Sequence, residues 1–318
     1  MESGVSRAFI FPGQGAQTIG MGKALAEAYR DAGLVFEEVD EALGERLSSI
    51  IWYGDQDTLT LTRNAQPALM ATSMAAMAAL GSEGVSVESA SHVAGHSLGE
   101  YSALVAAKAL SLSDAARLLR VRGSAMQEAV PVGEGAMAAI LGLEHGVVAS
   151  VAEQAAQGEL CVAANDNDPN QVVVSGTRAA VERAIAIARK RGARRAILLP
   201  VSAPFHCELM APAASRMADE LSDVEFRPPK VNFVANVSAG VINDPAELRR
   251  SLVDQVTHPV RWRESVEMMI GNGVNETWEI GAGKALSGMV RRIDRSILLR
   301  GVGTPEEVRA AVENLTGN

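Results

Sequence analysis

Val93-Ala94-Gly95-His96-Ser97-Leu98-Gly99-Glu100-Tyr101 is the stretch on which the fold turns. A short apolar run enters Gly-x-Ser-x-Gly, and a helix-forming segment follows over 100–109. Strand, sharp turn and helix in that order present a serine at the C-terminal end of a strand in an α/β sheet. The flanking glycines let the backbone take a strained turn and let neighbouring chain come close. Free N–H groups and positive dipole collect at the start of the helix, which suits an oxyanion forming beside Ser97. A five-residue pattern with three fixed positions also arises by chance, so a catalytic serine needs partners elsewhere in the chain.

Working outward, 318 residues leave room for one large domain or for a domain with an inserted subdomain. Hydrophobic residues at 47% and charged residues at 21% are ordinary for a globular protein. Lys and Arg number 29 against 38 Asp and Glu, a net charge of −9, which disfavours a nucleic-acid partner. The start, Met1-Glu2-Ser3-Gly4-Val5-Ser6-Arg7, has no basic segment followed by a long apolar one. No apolar run is long enough to span a bilayer, so no membrane partner is expected. Two cysteines, Cys161 and Cys207, make no disulfide framework, and a cytoplasmic setting is the simplest expectation.

Before the serine, Arg7-Ala8-Phe9-Ile10-Phe11 reads as a buried strand opening into Pro12-Gly13-Gln14-Gly15-Ala16-Gln17, with a helical pattern through Met21, Leu25 and Tyr29. A dinucleotide reading of this turn fails because Thr18 stands where the third glycine belongs. A Walker reading fails because Gly22-Lys23 and Gly283-Lys284 are each followed by Ala. What remains is either a plain tight turn or a loop whose N–H groups face a ligand. Residues 31–61 suggest two or more amphipathic helices, and Asn64 to Met70 leads into a long helix ending near Gly81. Met70, Met74 and Met77 lie at helical spacing, a stripe that reads as core packing. His92 and His96 have a metal-binding spacing only on a helix; the strand reading, Gly95 and the lack of a third ligand point to no metal site. Beyond Ser97, residues 113–129 form an amphipathic helix carrying Arg117, Arg120 and Arg122, and the pattern does not say which of these turns inward.

Residues 135–201 change character. Strands at 136–141, 160–165, 171–175 and 195–201 alternate with helices at 146–156 and 179–191, and Asn167-Asp168-Pro169-Asn170 supplies a turn. The βαββαβ order is that of a ferredoxin-like unit. The expected fold is therefore α/β: an α/β-hydrolase-like parallel-sheet core over 1–130 and 201–318, with a ferredoxin-like subdomain inserted over 131–200. Arg189, Lys190, Arg191, Arg194 and Arg195 gather positive charge on it, either as a solvated helix end, the commoner case, or as a patch suited to an acidic partner. At its exit, Pro200-Val201-Ser202-Ala203-Pro204-Phe205 leads to His206, placed after a strand and a proline-stiffened loop. Of the five histidines it is the best candidate for a base meeting Ser97. Adjacent Cys207 reads as a small buried residue.

These segments carry a resemblance. Phe11-Pro12-Gly13-Gln14-Gly15-Ala16-Gln17, Gln66-Pro67-Ala68, Gly95-His96-Ser97-Leu98-Gly99-Glu100 and Arg122-Gly123 occur in order. Pro200-Val201-Ser202 with His206, Gln255 with Pro259-Val260-Arg261-Trp262, and Glu279-Ile280-Gly281-Ala282-Gly283-Lys284 follow. From about Ala8 to about Arg300 the chain resembles the malonyl-CoA:acyl carrier protein transacylases, a family that includes the acyltransferase domains of fatty acid and polyketide synthases. The resemblance implies that Ser97 takes a malonyl group as an ester and that His206 is its base. It also implies that the backbone carbonyl of Gln255 orients His206 in place of an acid, and that the N–H groups of Gln14 and Leu98 form the oxyanion hole. Arg122 would clamp the malonyl carboxylate. Malonyl-CoA and acyl carrier protein would be the partners, a thioester needing no metal or redox cofactor, and a monomer would suffice. The product would supply extender units for fatty acid biosynthesis, with a polyketide line equally compatible. Carrier proteins are acidic, and Arg194, Arg195, Lys284, Arg291 and Arg292 are the expected docking charges. A serine hydrolase, which shares Gly-x-Ser-x-Gly, would instead place an Asp or Glu behind the histidine.

Overall fold

The computed structural model describes residues 5–201 and 203–316, so Met1 to Gly4, Ser202, Gly317 and Asn318 lie outside the described residues. Ten strands fall into two sheets. β1 (Arg7–Phe11), β2 (His92–Gly95), β7 (Asn232–Ala235), β8 (Gly240–Val241), β9 (Glu276–Ile280) and β10 (Leu298–Val302) make one, in the order β10-β9-β1-β2-β7-β8. All its pairs are parallel except the β7–β8 hairpin. β1, β2 and β9 are buried along their whole length, as strands covered by helices on both faces must be.

The second sheet is antiparallel and contains β3 (Gly135–Leu141), β4 (Cys161–Asp168), β5 (Gln171–Thr177) and β6 (Arg195–Leu198), ordered β4-β5-β3-β6. With helices His145–Ala156 and Arg178–Lys190 between strands, this is the ferredoxin-like βαββαβ arrangement. Period-two alternation divides each strand between two environments. Ala136, Ala138 and Ile140 of β3, with Val172 and Val174 of β5, join the core under those two helices. Met137, Ala139 and Val173 point the other way, into the main core, so this sheet presents its second face to the parallel-sheet body. Two local readings needed adjustment: β4 runs on to Asp168, leaving Pro169-Asn170 as the turn, and β6 ends at Leu198. In the first, pairing with β5 overrides the turn propensity of Asn167 and Asp168. The helical pattern around Met21 is also shorter than its spacing suggests, since the helix there spans only Lys23–Ala28.

The two bodies are joined along β4. Asp166 N donates to Val260 O at 2.9 Å and Val260 N to Ala164 O at 2.9 Å. Asp166 also pairs with Arg263, and Asp168 with Arg292. At the N-terminal end of the parallel sheet, Glu276 is held between Arg7 and Arg300, at 2.7 and 2.5 Å. Pro67 lies inside the long helix Thr62–Ser82, whose Met70 and Met74 are buried in the main core.

Candidate active site

The turn after β2 is as tight as its sequence suggests. A side chain on Gly95 would place its Cβ 1.9 Å from the carbonyl carbon of Gly99, and one on Gly99 would meet Phe11 O at 2.3 Å. Ser97 itself takes a left-handed backbone, φ 53°, immediately ahead of the helix Gly99–Ala106. Such strain persists only when surroundings fix it. Here Ser97 N donates to Asn236 Oδ1 at 2.8 Å, Asn236 Nδ2 donates to Gly95 O at 2.7 Å, and His96 N donates to Phe11 O at 3.1 Å.

Ser97 Oγ donates to His206 Nε2 at 2.8 Å, and His206 Nδ1 donates to the backbone carbonyl of Gln255 at 2.9 Å. A carbonyl only accepts, so the ring proton sits on Nδ1 and Nε2 is left as the acceptor a base needs. Among the described residues no carboxylate bonds the ring at the place where a hydrolase triad would have one; the main-chain oxygen of Gln255 does. His206 is pushed down to about 3, first by burial and then by the charge of Arg122, so the ring is neutral at ordinary pH.

Of the three arginines on the helix Leu112–Glu128, Arg117 pairs with Asp114 and Arg120 with Glu45 towards the outside. Arg122 is the one that turns inward, with 1% of its surface exposed. Gly123 allows this. Its missing side chain lets the helix cross Thr62–Ser82 so closely that a Cβ would sit 2.6 Å from Thr62 O. That crossing brings Arg122 Nη1 to Gln66 Oε1 at 2.7 Å. Its Nη2 donates to Gln255 Oε1 at 2.7 Å and to Ser97 Oγ at 3.2 Å, while its Nε has no partner among the described residues. A buried guanidinium is thus held by neutral oxygens beside the serine, with no ion pair among the described residues.

These groups meet in a cleft of about 550 Å³ between the two sheets, roofed by Met137, Ala139 and Val173. Gln14 and Leu98 both line it, and the backbone N–H of neither donates to a protein acceptor among the described residues. Backbone donors left free on residues that line the cleft are the kind of group that can receive a developing negative charge. Three contributors went unread in the sequence. Gln66 and Glu100 stand in motifs that carry the resemblance but have no role from it, and Asn236 stands in no motif. For Glu100 a signal existed, the lone charge in the first turn of a largely apolar helix; for Asn236 only its place just after a strand.

Other candidates separate. His96 Nε2 contacts Asn167 Oδ1 at 2.8 Å, and His92 contacts its neighbour Ser91, at 2.9 Å. Cys161 and Cys207 are buried, and burial pushes both thiols up, Cys161 to about 12, so neither is an available nucleophile. The five docking arginines and lysines do not form one set. Lys284 is paired with Glu307 and Arg292 with Asp168, while Arg194, Arg195 and Arg291 are exposed and make no ion pair among the described residues. Arg291 and Arg292, with Arg295 and Asn170, line a separate groove of about 740 Å³. Asn170 O accepts from Gly142 N, and Gly142 abuts the backbone of Arg194, which does not itself line that groove. Lys284 stands at the opposite end of the helix Ala285–Ile293. No helix among the described residues is long and apolar enough to cross a membrane.

Comparison with known proteins matches residues 8–300 to the acyl transferase domain family. The chain is 47% identical over 309 residues to the malonyl CoA-acyl carrier protein transacylase of Bacillus subtilis, covering 97% of this chain and 96% of that protein. It is similar to the crystal structure of an acyl-carrier-protein-S-malonyltransferase from Bartonella henselae, with a TM-score of 0.96, 53% identity and coverage of 99% and 100%. A malonyl-transacylase solved in complex with its type II PKS acyl-carrier protein is similar too, at a TM-score of 0.94, 40% identity and coverage of 97% and 99%.

Proposed function

The chain belongs to the acyl transferase domain family, and from that premise we propose that it transfers malonyl from malonyl-CoA to the phosphopantetheine thiol of acyl carrier protein. The reading is carried by one observation: Ser97 Oγ lies within hydrogen-bond reach of both a neutral base, His206, and a buried cation without an ion pair, Arg122. A nucleophile so placed suits an acyl group that bears its own carboxylate.

In the first half-reaction Ser97 Oγ attacks the thioester carbonyl as its proton passes to His206 Nε2. The resulting oxyanion is received by the N–H groups of Gln14 and Leu98. Collapse breaks the C–S bond, and the proton on Nε2 goes to the departing coenzyme A thiolate. The phosphopantetheine thiol then gives its proton to His206, attacks the malonyl ester, and releases Ser97 Oγ, which takes the proton back. Arg122 holds the malonyl carboxylate through both halves, which orients the acyl group while it waits. The same ion pair screens His206 from the guanidinium, so substrate eases the protonation of the base that free enzyme resists.

An activated thioester makes no demand for a metal or redox cofactor. All groups named come from one chain, which supports a monomer as the working unit, and a reducing cytoplasm would keep the carrier thiol free. The product serves fatty acid or polyketide chain extension. The test is labelled malonyl-CoA with and without carrier protein, together with the intact mass of the enzyme after brief exposure. Expected are a malonyl adduct that Ser97→Ala abolishes and label moving to the carrier. Free malonate appearing equally fast in both tubes would overturn transfer in favour of hydrolysis.

A further inference from the structure

Glu100 has no surface exposed and does not line the cleft, yet its carboxyl touches both sides of the catalytic apparatus. Its Oε1 accepts from Asn236 N at 2.5 Å and its Oε2 from Gln255 Nε2 at 2.5 Å. Asn236 holds the Ser97 turn through two side-chain bonds. Gln255 offers its backbone oxygen to His206 and its side-chain oxygen to Arg122. We propose that Glu100 is a positioning residue that sets the amide of Gln255, and with it the aim of Arg122, while tying Asn236 to the same anchor.

The reasoning lies in donors and acceptors. The Gln255 amide faces one donor, Arg122 Nη2, and two acceptors, Ser97 O and Glu100 Oε2. Turned over, it would oppose oxygen to oxygen on one side and N–H to N–H on the other, so both acceptors lock the orientation that leaves Oε1 towards Arg122. A carboxyl group supplies an oxygen to each of its two N–H neighbours, whereas an amide at this position has only one oxygen and turns an NH2 towards the other donor. Burial pushes Glu100 up to about 8, against the pull of those two donors and of Arg122. A group so unfavourable to bury is retained where its contacts matter.

The inference rests on the acyl-transfer reading, and its test separates the two. Malonyl and acetyl transfer are compared in wild-type and Glu100→Gln enzyme, as kcat and KM for each. Malonyl kcat/KM is expected to fall roughly 10- to 100-fold, mostly in kcat, because one buried donor loses its partner. The malonyl-to-acetyl ratio falls with it, since acetyl has no carboxylate for a misaimed Arg122 to miss. A variant that is merely less folded loses both activities in proportion, so an unchanged ratio overturns the proposal. Should Glu100→Gln not fold, the wild-type chain answers by NMR of the Gln255 side-chain NH2. Its two protons should resist solvent exchange, and rapid exchange would overturn the proposal. Wild-type enzyme that transfers no malonyl counts against the acyl-transfer reading instead, and the amide signal is then decided on its own.

Discussion

Two arginine sites lie at opposite ends of the parallel sheet, and they are finished differently. At the N-terminal end Arg7 and Arg300 close on one carboxylate, Glu276, and Arg7 also stacks on Trp278 at 4.8 Å. At the C-terminal end Arg122 is more deeply buried than Arg7, yet only amide and hydroxyl oxygens receive its N–H groups, and its Nε is left over. Burying a charge is costly unless it is compensated. The first cluster is compensated within the chain and closes the bottom of the sheet. The second has no carboxylate partner among the described residues, the arrangement that the proposed clamp on a substrate carboxylate requires.

The largest test of that contrast is Arg122→Met, which keeps most of the volume and removes the charge. Malonyl kcat/KM should drop roughly 100- to 1,000-fold, the range expected when a buried charge partner is lost, with acetyl transfer far less affected. Stability should change by no more than about 1 kcal/mol, because relief of a buried charge with no ion pair offsets the donors lost to Gln66 Oε1 and Gln255 Oε1. The mirror experiment is Glu276→Gln. It strands Arg7 and the partly exposed Arg300, so denaturant unfolding should show a loss of about 2 kcal/mol with the malonyl-to-acetyl ratio unchanged. A large change in acyl preference there, or a large loss of stability in Arg122→Met, would break the distinction.

Much of this was open to a reader of the sequence because it is local or periodic. Gly95, Ser97 and Gly99 specify their turn by steric necessity within five residues, and the change to βαββαβ after Gly135 follows from strand and helix periods. The finish of Arg122 was not open in the same way. Its inward aim depends on Gly123 meeting the backbone at Thr62, and its partners Gln66 and Gln255 are 56 and 133 residues away. Nor does pattern separate Arg120 from Arg122, two residues apart on one helix, one pairing outward and one turned in. The docking charges failed to resolve for the opposite reason. Exposure and clustering are visible in sequence, but the commitments of Lys284 to Glu307 and of Arg292 to Asp168 are tertiary.

Arg122 also sharpens the comparison through its neighbour. His206 is held from the ordinary 6.5 down to about 3 by burial and then by Arg122, so between those values the unfolded chain binds a proton that the folded chain refuses. Stability from this histidine is present above pH 6.5 and is lost as pH falls towards 3. Serine acylation needs the neutral ring, so kcat/KM should stay level through pH 6.5 and fall only well below it. In Arg122→Met the acid limb should move upward, since the larger of the two charges that lower it, Arg122 ahead of His96, is gone, and pH profiles with acetyl-CoA measure this without needing the malonyl clamp. A limb that stays put would mean that Arg122 acts on substrate alone. No such coupling exists for Arg7 or Arg300, whose charge is spent on Glu276.

The smallest effects belong to a third kind of cation, exposed and without an ion pair. Arg291 stands free on the rim of the Asn170–Arg295 groove, whereas Lys284 is already paired with Glu307 at 2.6 Å. A rim charge acts mainly on encounter with an acidic carrier, and salt screens it within about 10 Å. Arg291→Ala should therefore raise KM for the carrier by roughly two- to fivefold at low salt, with kcat and the malonyl adduct unchanged, and the difference should fade as salt is added. Lys284→Ala should do less, because its charge is partly cancelled before any carrier arrives. Equal effects from the two would show that pairing within the chain does not govern which surface charges a partner can use, and the ordering from Arg7 through Arg122 to Arg291 would lose its last step.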